Sequence, residues 1–306
     1  MSAKIQFKGL GVALATPFLK NGDIDFDGLK RLIEYQINNG VNYVVALGTT
    51  GESVTLDEEE KHKILDFTIE TVNRRVPIVA GFGGNDTRKV IHQMESYHFN
   101  GIDAILSVCP YYNRPNQEGL YQHFKTIAEK APRPVIVYNV PSRTACNLEA
   151  ATTIRLSQDC PNIIGVKEAS GNLTQCSQII KYKGRQDFFV IAGDDFITLP
   201  GIACGMDGVI SVIGNAFPGE FGALVRAALD DDFRTARKMH YRLLSVMELL
   251  FADGSPGGVK YALHVLGICG YTLRLPLVPP NMQVREALTK EMSFLLQPAE
   301  QGSIGQ

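Results

Sequence analysis

Eight short apolar runs rich in valine and isoleucine recur along the chain. They begin at residues 11, 41, 76, 102, 134, 163, 188 and 207 and read GVALATP, VNYVVALG, VPIVAGFG, IDAILSVCP, PVIVYNVP, IIGVKEAS, FFVIAGDD and DGVISVIG. Strands that are apolar on both faces are typical of parallel sheets buried between two layers. The runs start 19 to 35 residues apart, which leaves room for a crossover helix between consecutive strands.

The segments between these runs have the spacing of amphipathic helices. Residues 26–39 place leucines and isoleucines about one turn apart, and Gly40 follows as a C-terminal cap. Thr55 and Glu58 have the spacing of a capping box, which predicts a helix from there to about Arg74.

Strand and helix alternation of this kind predicts an α/β fold. Eight parallel strands with right-handed crossover helices close most simply into a (β/α)8 TIM barrel, and an open doubly wound sheet is the alternative. We place this catalytic barrel at residues 1–225. The strand pattern then stops, and helices are predicted over 233–251, 258–266 and 284–296. These form a C-terminal helical domain at 226–297, followed by a flexible tail at 298–306.

Composition and charge exclude several classes of protein. The 306 residues include 30 Lys+Arg and 32 Asp+Glu, for a net charge of -2. That balance excludes a protein that binds nucleic acid by neutralising phosphates, and it argues against polybasic attachment to a membrane. No apolar run approaches the roughly 18 residues of a membrane span, and the N-terminus has no convincing cleavage site. We therefore expect a cytoplasmic protein.

The metal-binding residue types are scattered. The six cysteines form no CxxC pair, and the six histidines form no HxH or HExxH spacing. We expect neither a disulfide framework nor a zinc site. The segment at residues 81–86 lacks the last glycine of a dinucleotide fingerprint. The Asp194-Asp195 pair has no neighbouring histidine and is interpreted as a loop or capping pair. No cofactor and no metal are therefore expected.

Lys167 is the strongest candidate for chemistry. Active sites of such barrels lie at the carboxyl ends of the strands, and Lys167 follows IIGV inside the sixth run. Burial lowers the pKa of a lysine, and the neutral amine is the nucleophile that forms a Schiff base with a carbonyl substrate. The alternative is an ion pair that buries Lys167 against Glu168 or Asp194.

Other polar side chains follow neighbouring strands. Thr49 and Thr50, flanked by glycines, offer hydroxyls and backbone N–H groups to a small carboxylate. Tyr138 and Tyr112 are phenols that can donate and accept a proton. Arg143 has a planar guanidinium that suits a substrate carboxylate. The alternatives are an ordinary turn, aromatic packing at the barrel rim and a solvated arginine.

Four motifs occur in order at the predicted strand ends: GTTGE at 48–52, YNVPSRT at 138–144, GVKEASG at 165–171 and AGDD at 192–195. Together they resemble the pyruvate-dependent Schiff-base aldolase family that includes dihydrodipicolinate synthase and N-acetylneuraminate lyase, over about residues 5–296. Within that family, PYYNRP at 110–115 and Arg143 are most similar to the dihydrodipicolinate synthases.

The resemblance implies a lyase that condenses pyruvate with L-aspartate 4-semialdehyde to give 4-hydroxy-tetrahydrodipicolinate, in diaminopimelate and lysine biosynthesis. It implies that Lys167 forms the Schiff base with pyruvate. Tyr138, Thr49 and Tyr112 would form a proton relay, with Tyr112 reaching into the site of a neighbouring subunit. The implied assembly is a homotetramer built as a dimer of dimers.

The resemblance also implies substrate-binding roles. Thr50, with Thr49, would hold the pyruvate carboxylate, and Arg143 would receive the carboxylate of the semialdehyde. Gly193 and Ile210 would contribute backbone groups to the pocket. The segment GSPGGVK at 254–260 departs from a proline-rich pattern in many members. We expect this departure to alter the packing of the helical domain and not the chemistry.

Feedback inhibition by lysine is predicted to be weak or absent. Lysine-inhibited relatives bind lysine beside the positions of Asn85 and Tyr111, and a carboxylate there pairs with its ammonium group. The corresponding residue here is Lys89, while Glu58 and Lys61 occupy two further positions of that pocket.

Alternative functions remain open. One is another pyruvate-dependent aldolase of the same family, acting on a sugar acid or a hydroxy-oxoglutarate. The others are a keto-acid sensor without activity and a metal-dependent aldolase.

Overall fold

Residues 7–296 are described by the computed structural model. Their eight strands are all parallel and hydrogen-bonded in chain order, and β1 also pairs with β8, which closes the barrel. The strands are β1 Gly9–Ala13, β2 Tyr43–Ala46, β3 Ile78–Gly81, β4 Ala104–Val108, β5 Val135–Asn139, β6 Ile163–Glu168, β7 Phe189–Ala192 and β8 Gly208–Ser211. The predicted (β/α)8 barrel is confirmed, and the open doubly wound sheet is excluded.

Twelve α-helices lie within residues 7–296. They are α1 Phe26–Asn38, α2 Glu58–Val72, α3 Thr87–Glu95, α4 Gln117–Lys130, α5 Pro141–Thr144, α6 Ala150–Asp159, α7 Leu173–Tyr182, α8 Thr198–Ala203, α9 Pro218–Leu229, α10 Phe233–Phe251, α11 Gly257–Val265 and α12 Met282–Leu296. In this part of the chain, no helix is both long and apolar enough to cross a membrane.

The helices after the barrel agree with the predicted C-terminal extension. α10 begins and ends at the predicted residues, and it packs along α9, α11 and α12. Residue 226, where we place the start of the helical domain, lies inside α9, so the division into two domains stays a prediction. The predicted tail at 298–306 lies outside the described residues.

The predicted capping box of α2 is wrong by two residues. Asp57, not Thr55, is the N-cap: its side chain accepts a hydrogen bond from the backbone N–H of Glu60, and the Glu60 side chain accepts one from the N–H of Asp57. Thr55 belongs to a short 3-10 turn, and its hydroxyl donates to the carbonyl of Glu52. Because that hydroxyl is already engaged, it is not free to cap the helix.

Aromatic rings fill the amino-terminal end of the barrel. Phe7 makes edge-to-face contacts with Tyr43 and Phe189, at centroid distances of 5.4 and 6.2 Å. Gly11 lies against Tyr43, where a Cβ would come within 2.2 Å of the ring. This end is therefore solidly packed, and the open end of the barrel is the one to which the strands' carboxyl termini point.

A bulge in β6 decides which residues of that strand face the barrel interior. Val135 of β5 pairs with Ile163, but the next residue, Ile136, pairs with Gly165, so Ile164 is an extra residue in the ladder. A shift of one residue moves every following side chain to the other face. After the bulge, Lys167 pairs with the interior residue Tyr138.

Candidate active site

Lys167 lies inside the barrel near the carboxyl end of β6. Its side chain is buried, and its Nζ lies 4.1 Å from the centroid of the Tyr138 ring. Gly193, just after β7, borders the lysine so closely that a Cβ there would lie 3.1 Å from the Cγ and Cε atoms of Lys167. Ile210 of β8 belongs to the same interior cluster as Tyr138. Four of the predicted site residues therefore meet at one end of the barrel.

The alternative interpretation of Lys167 as half of an ion pair is wrong. Among residues 7–296, no carboxylate forms an ion pair with it. Glu168 faces the helices, where its carboxylate accepts hydrogen bonds from Asn139 at 3.0 Å, from Gln175 at 2.9 Å and from the Ser170 N–H at 2.7 Å. The Glu168 carboxylate thus stabilises the side of β6 that faces the helices, and it does not supply a counter-charge to the Lys167 amine.

The two aspartates after β7 hold loops. Asp194 accepts a hydrogen bond from the Phe196 N–H at 2.9 Å. Asp195 accepts from the N–H groups of Val212 and Ile213 at 3.1 and 2.9 Å, and its complete burial raises its pKa to about 6. Within the described residues, no group of three or more His, Cys, Asp or Glu side chains could hold a metal ion.

Thr49 and Thr50 form a short 3-10 turn with Gly51 after β2. The chain enters the turn through Leu47, whose φ of 57° is left-handed, and the Leu47 carbonyl lies 2.1 Å from where a Cβ on Gly81 would be. Glycine at 81 is therefore what allows this close approach. The hydroxyl of Thr16 donates to the Gly51 carbonyl at 2.7 Å and holds the far side of the turn.

A cavity of about 480 Å³ opens above these strand ends. Thr49, Tyr138 and Arg143 line it together, whereas Lys167, Thr50, Gly193 and Ile210 are not in its wall. The same cavity extends to a second set of residues that includes the predicted lysine-pocket positions, Glu58, Lys61, Asn85, Lys89 and Tyr111. Thr49, Tyr138 and Arg143 thus share one cavity with these residues.

Tyr112 is the one predicted site residue that stands apart. Its side chain is 90 % exposed, its φ of 75° is left-handed, and it is not among the residues that line the cavity. Hydrogen bonds fix the loop around it, since Asn85 donates to the Tyr111 carbonyl at 3.1 Å and Asn113 donates to the Asn85 carbonyl at 2.8 Å. Arg114 donates to the Ala145 carbonyl at 3.0 Å and ties this loop to the end of α5.

Sequence reasoning missed a buried ion pair at the back of the threonine turn. The Nζ of Lys260 in α11 lies 2.6 Å from Oε1 of Glu52, and neither side chain is exposed to solvent. Lys260 belongs to the departing segment 254–260, so this segment contacts the last residue of the GTTGE motif; that the departure leaves the chemistry unchanged stays a prediction. The available signal was Lys260, the one lysine in the mostly apolar stretch GGVKYALHV at 257–265.

Comparison with known proteins places this geometry in a family. Residues 6–294 match the model of the dihydrodipicolinate synthetase family. The 4-hydroxy-tetrahydrodipicolinate synthase of Parabacteroides distasonis is 50 % identical over 94 % of this chain and 97 % of its own. That of Phocaeicola vulgatus is 50 % identical over 92 % and 95 %. The crystal structure of dihydrodipicolinate synthase from Aquifex aeolicus is 41 % identical, covers 94 % of this chain and 98 % of its own, and superposes with a TM-score of 0.91.

Proposed function

The chain belongs to the dihydrodipicolinate synthetase family, and from that premise we propose that it condenses pyruvate with L-aspartate 4-semialdehyde to give 4-hydroxy-tetrahydrodipicolinate. Its place is then in diaminopimelate and lysine biosynthesis. One observation carries the mechanism: Lys167 is buried at the open end of the barrel without a carboxylate partner, beside the phenol ring of Tyr138.

The first half of the reaction makes a nucleophile from pyruvate. The neutral amine of Lys167 attacks the ketone carbon, and loss of water gives an iminium ion. The positive iminium acidifies the methyl group, which loses a proton to become an enamine. Thr49 and Tyr138 line the cavity, and the Tyr138 ring lies against the Lys167 amine, so we assign the proton transfers to these two residues. Thr50, with Thr49, holds the pyruvate carboxylate.

The second half joins the two substrates. The enamine carbon attacks the aldehyde of the semialdehyde, and the new alkoxide takes a proton to become the hydroxyl group. The amino group of the semialdehyde then attacks the iminium carbon, closes the ring and releases Lys167. Arg143 of α5 is exposed and lines the cavity, and there its guanidinium receives the carboxylate of the semialdehyde. Gly193 and Ile210 supply backbone groups to the floor of the site.

Tyr112 completes the relay from a neighbouring subunit. Its 90 % exposure supports this role, because such a side chain is free to insert into another protomer. The proposed assembly is a homotetramer, a dimer of dimers, in the cytoplasm.

Borohydride trapping tests the proposal most directly. Protein incubated with pyruvate and borohydride should gain the mass of one reduced pyruvyl group, and peptide mapping should locate it on Lys167. Lys167→Arg keeps the positive charge but lacks the neutral nucleophile, so it should remain folded and gain no such mass. Turnover of Lys167→Arg near the wild-type rate would falsify the Schiff-base mechanism.

An acceptor panel tests the second substrate. With pyruvate held constant, aspartate semialdehyde should be consumed in preference to sugar aldehydes and other short aldehydes. A preference for a sugar acceptor would leave the aldolase chemistry intact and change the substrate assignment.

A further inference from the structure

The buried pair Glu52–Lys260 joins two distant parts of the chain. The residues are 208 positions apart, and both side chains are completely buried. An ion pair in such a place loses much of its favourable hydration, and an apolar pair of the same volume is often as stable or more so. Its contribution to stability alone is therefore a poor explanation for its presence.

The structure around Glu52 indicates what the pair holds. Glu52 follows the turn Thr49–Gly51 directly, and its backbone has a left-handed φ of 52°. Its N–H donates to the Thr49 carbonyl at 3.1 Å. Its second carboxylate oxygen accepts a hydrogen bond from the backbone N–H of Arg274 at 3.1 Å. Both ends of the residue are thus tied, so the position of its side chain sets the position of the turn.

The clamp on this segment comes from the C-terminal part of the chain. Arg274 also donates to the Thr55 carbonyl at 2.9 Å and pairs with Glu60 at the start of α2. The ring of Phe18 lies beneath both cations, 4.2 Å from the Lys260 ammonium and 4.6 Å from the Arg274 guanidinium. Burial lowers the pKa of Lys260, and the carboxylate of Glu52 opposes that effect.

We propose that Glu52 and Lys260 are positioning residues, through which the C-terminal helices fix the Thr49–Gly51 turn against bound pyruvate. This inference rests on the proposed function. Neither side chain touches a substrate, and both act through the hydroxyls of Thr49 and Thr50. Their loss should therefore weaken pyruvate binding and slow proton transfer, while the Lys167 amine remains able to form its adduct.

The test uses two variants of the full chain. Glu52→Asp keeps the charge pair but withdraws the carboxylate by one methylene. The double variant Glu52→Gln/Lys260→Met removes both charges and leaves no unpaired ion. A 1 Å misplacement in an active site can cost on the order of 100-fold in rate. We expect each variant to raise the KM for pyruvate about 10- to 100-fold. Each should also slow exchange of the pyruvate methyl protons into D2O, followed by NMR without acceptor.

The control is Leu243→Ala in α10, which removes buried apolar volume from the same helical extension. It should lower the melting temperature and leave KM and proton exchange at wild-type values. If Leu243→Ala changes both constants as the pair variants do, the effect is general instability and the inference is wrong.

The positioning role would also be overturned if Glu52→Asp and the double variant are folded and have the wild-type KM for pyruvate and the wild-type rate of proton exchange. Should the double variant not fold, Glu52→Asp decides alone. The wild-type protein separates this result from the proposed function: if it traps no pyruvate with borohydride, the function fails. If it does trap pyruvate and the variants behave as wild type, only the positioning role fails.

Discussion

Gly193→Ala should impair Schiff-base formation without a new side chain entering the substrate cavity. The added Cβ would lie 2.7 Å from the Cβ of Ala169 and 3.1 Å from the Cγ and Cε atoms of Lys167. Carbon atoms pack at about 3.5–4.0 Å, so the lysine chain would have to retreat by roughly half an ångström. Overpacking of this kind costs about 1–3 kcal/mol. If this free energy adds to the activation barrier for attack by the Lys167 amine, adduct formation slows about 5- to 150-fold.

The assay is the rate of borohydride-trapped adduct at limiting pyruvate, followed by intact mass. Gly219→Ala in α9 is the matched control, because its Cβ would come no closer than 3.5 Å to any neighbour, the side-chain oxygen of Asn39. Melting temperatures of both variants show whether each is folded. A folded Gly193→Ala protein that forms the adduct at the wild-type rate would refute the contact between this backbone and the lysine.

Three further predictions concern side chains that can carry a charge. Arg143→Ala should lower turnover with the semialdehyde about 10- to 150-fold, because a charge-assisted hydrogen bond contributes roughly 1.5–3 kcal/mol, and it should leave formation of the pyruvate adduct unchanged. Equal loss in both steps would contradict a role for Arg143 in binding the semialdehyde. Lysine at millimolar concentration should inhibit weakly or not at all, because Lys89 repels its ammonium group and the Glu58 carboxylate is already paired with Lys61 at 2.8 Å; strong inhibition at limiting semialdehyde would disprove this. Burial lowers the pKa of His123 to about 4 from 6.5, so the folded state loses stability as the pH falls from 6.5 towards 4, by about 2.5 kcal/mol at pH 4.5. In urea titrations at pH 7 and 4.5, the loss of unfolding free energy between the two pH values should be smaller for His123→Gln than for the wild type, by about that amount. An equal loss in both proteins would be inconsistent with a buried neutral histidine.

Most of the barrel could be predicted from local pattern. Each strand has four to six residues and is mostly apolar, and the helices between the strands repeat their apolar positions about once per turn. The local sequence was therefore enough to predict these elements. The capping box of α2 was misplaced because Thr55 and Asp57 both have N-cap chemistry, and the Thr55 hydroxyl is engaged by the Glu52 carbonyl in the preceding turn. Lys260 and Arg274 contact that turn and the residues after it from more than 200 positions away in the sequence.

The site divides in the same way. Lys167, Tyr138 and the threonine turn were visible because strand ends carry the chemistry of barrels. The bulge at Ile164 was not, because its only signature is the pairing of β6 with β5. Nor was the role of Glu168, whose partners Asn139 and Gln175 lie on other elements. Long-range polar contacts of this kind leave no repeating pattern of residues in the sequence, so they could not be predicted from it.

The separation of Glu52 from Lys260 has a consequence for a chain made from its amino end. A nascent chain that has emerged only as far as α9 has all eight strands and can close the barrel through β1 and β8. It still lacks the cation that neutralises Glu52. On the positioning role proposed above, barrel closure and catalytic competence would be separate events during synthesis, and the second would wait for α11 and Arg274. A prematurely terminated product ending before residue 260 would contain all eight strand segments, yet lack the residue that pairs with Glu52 beside the threonine turn.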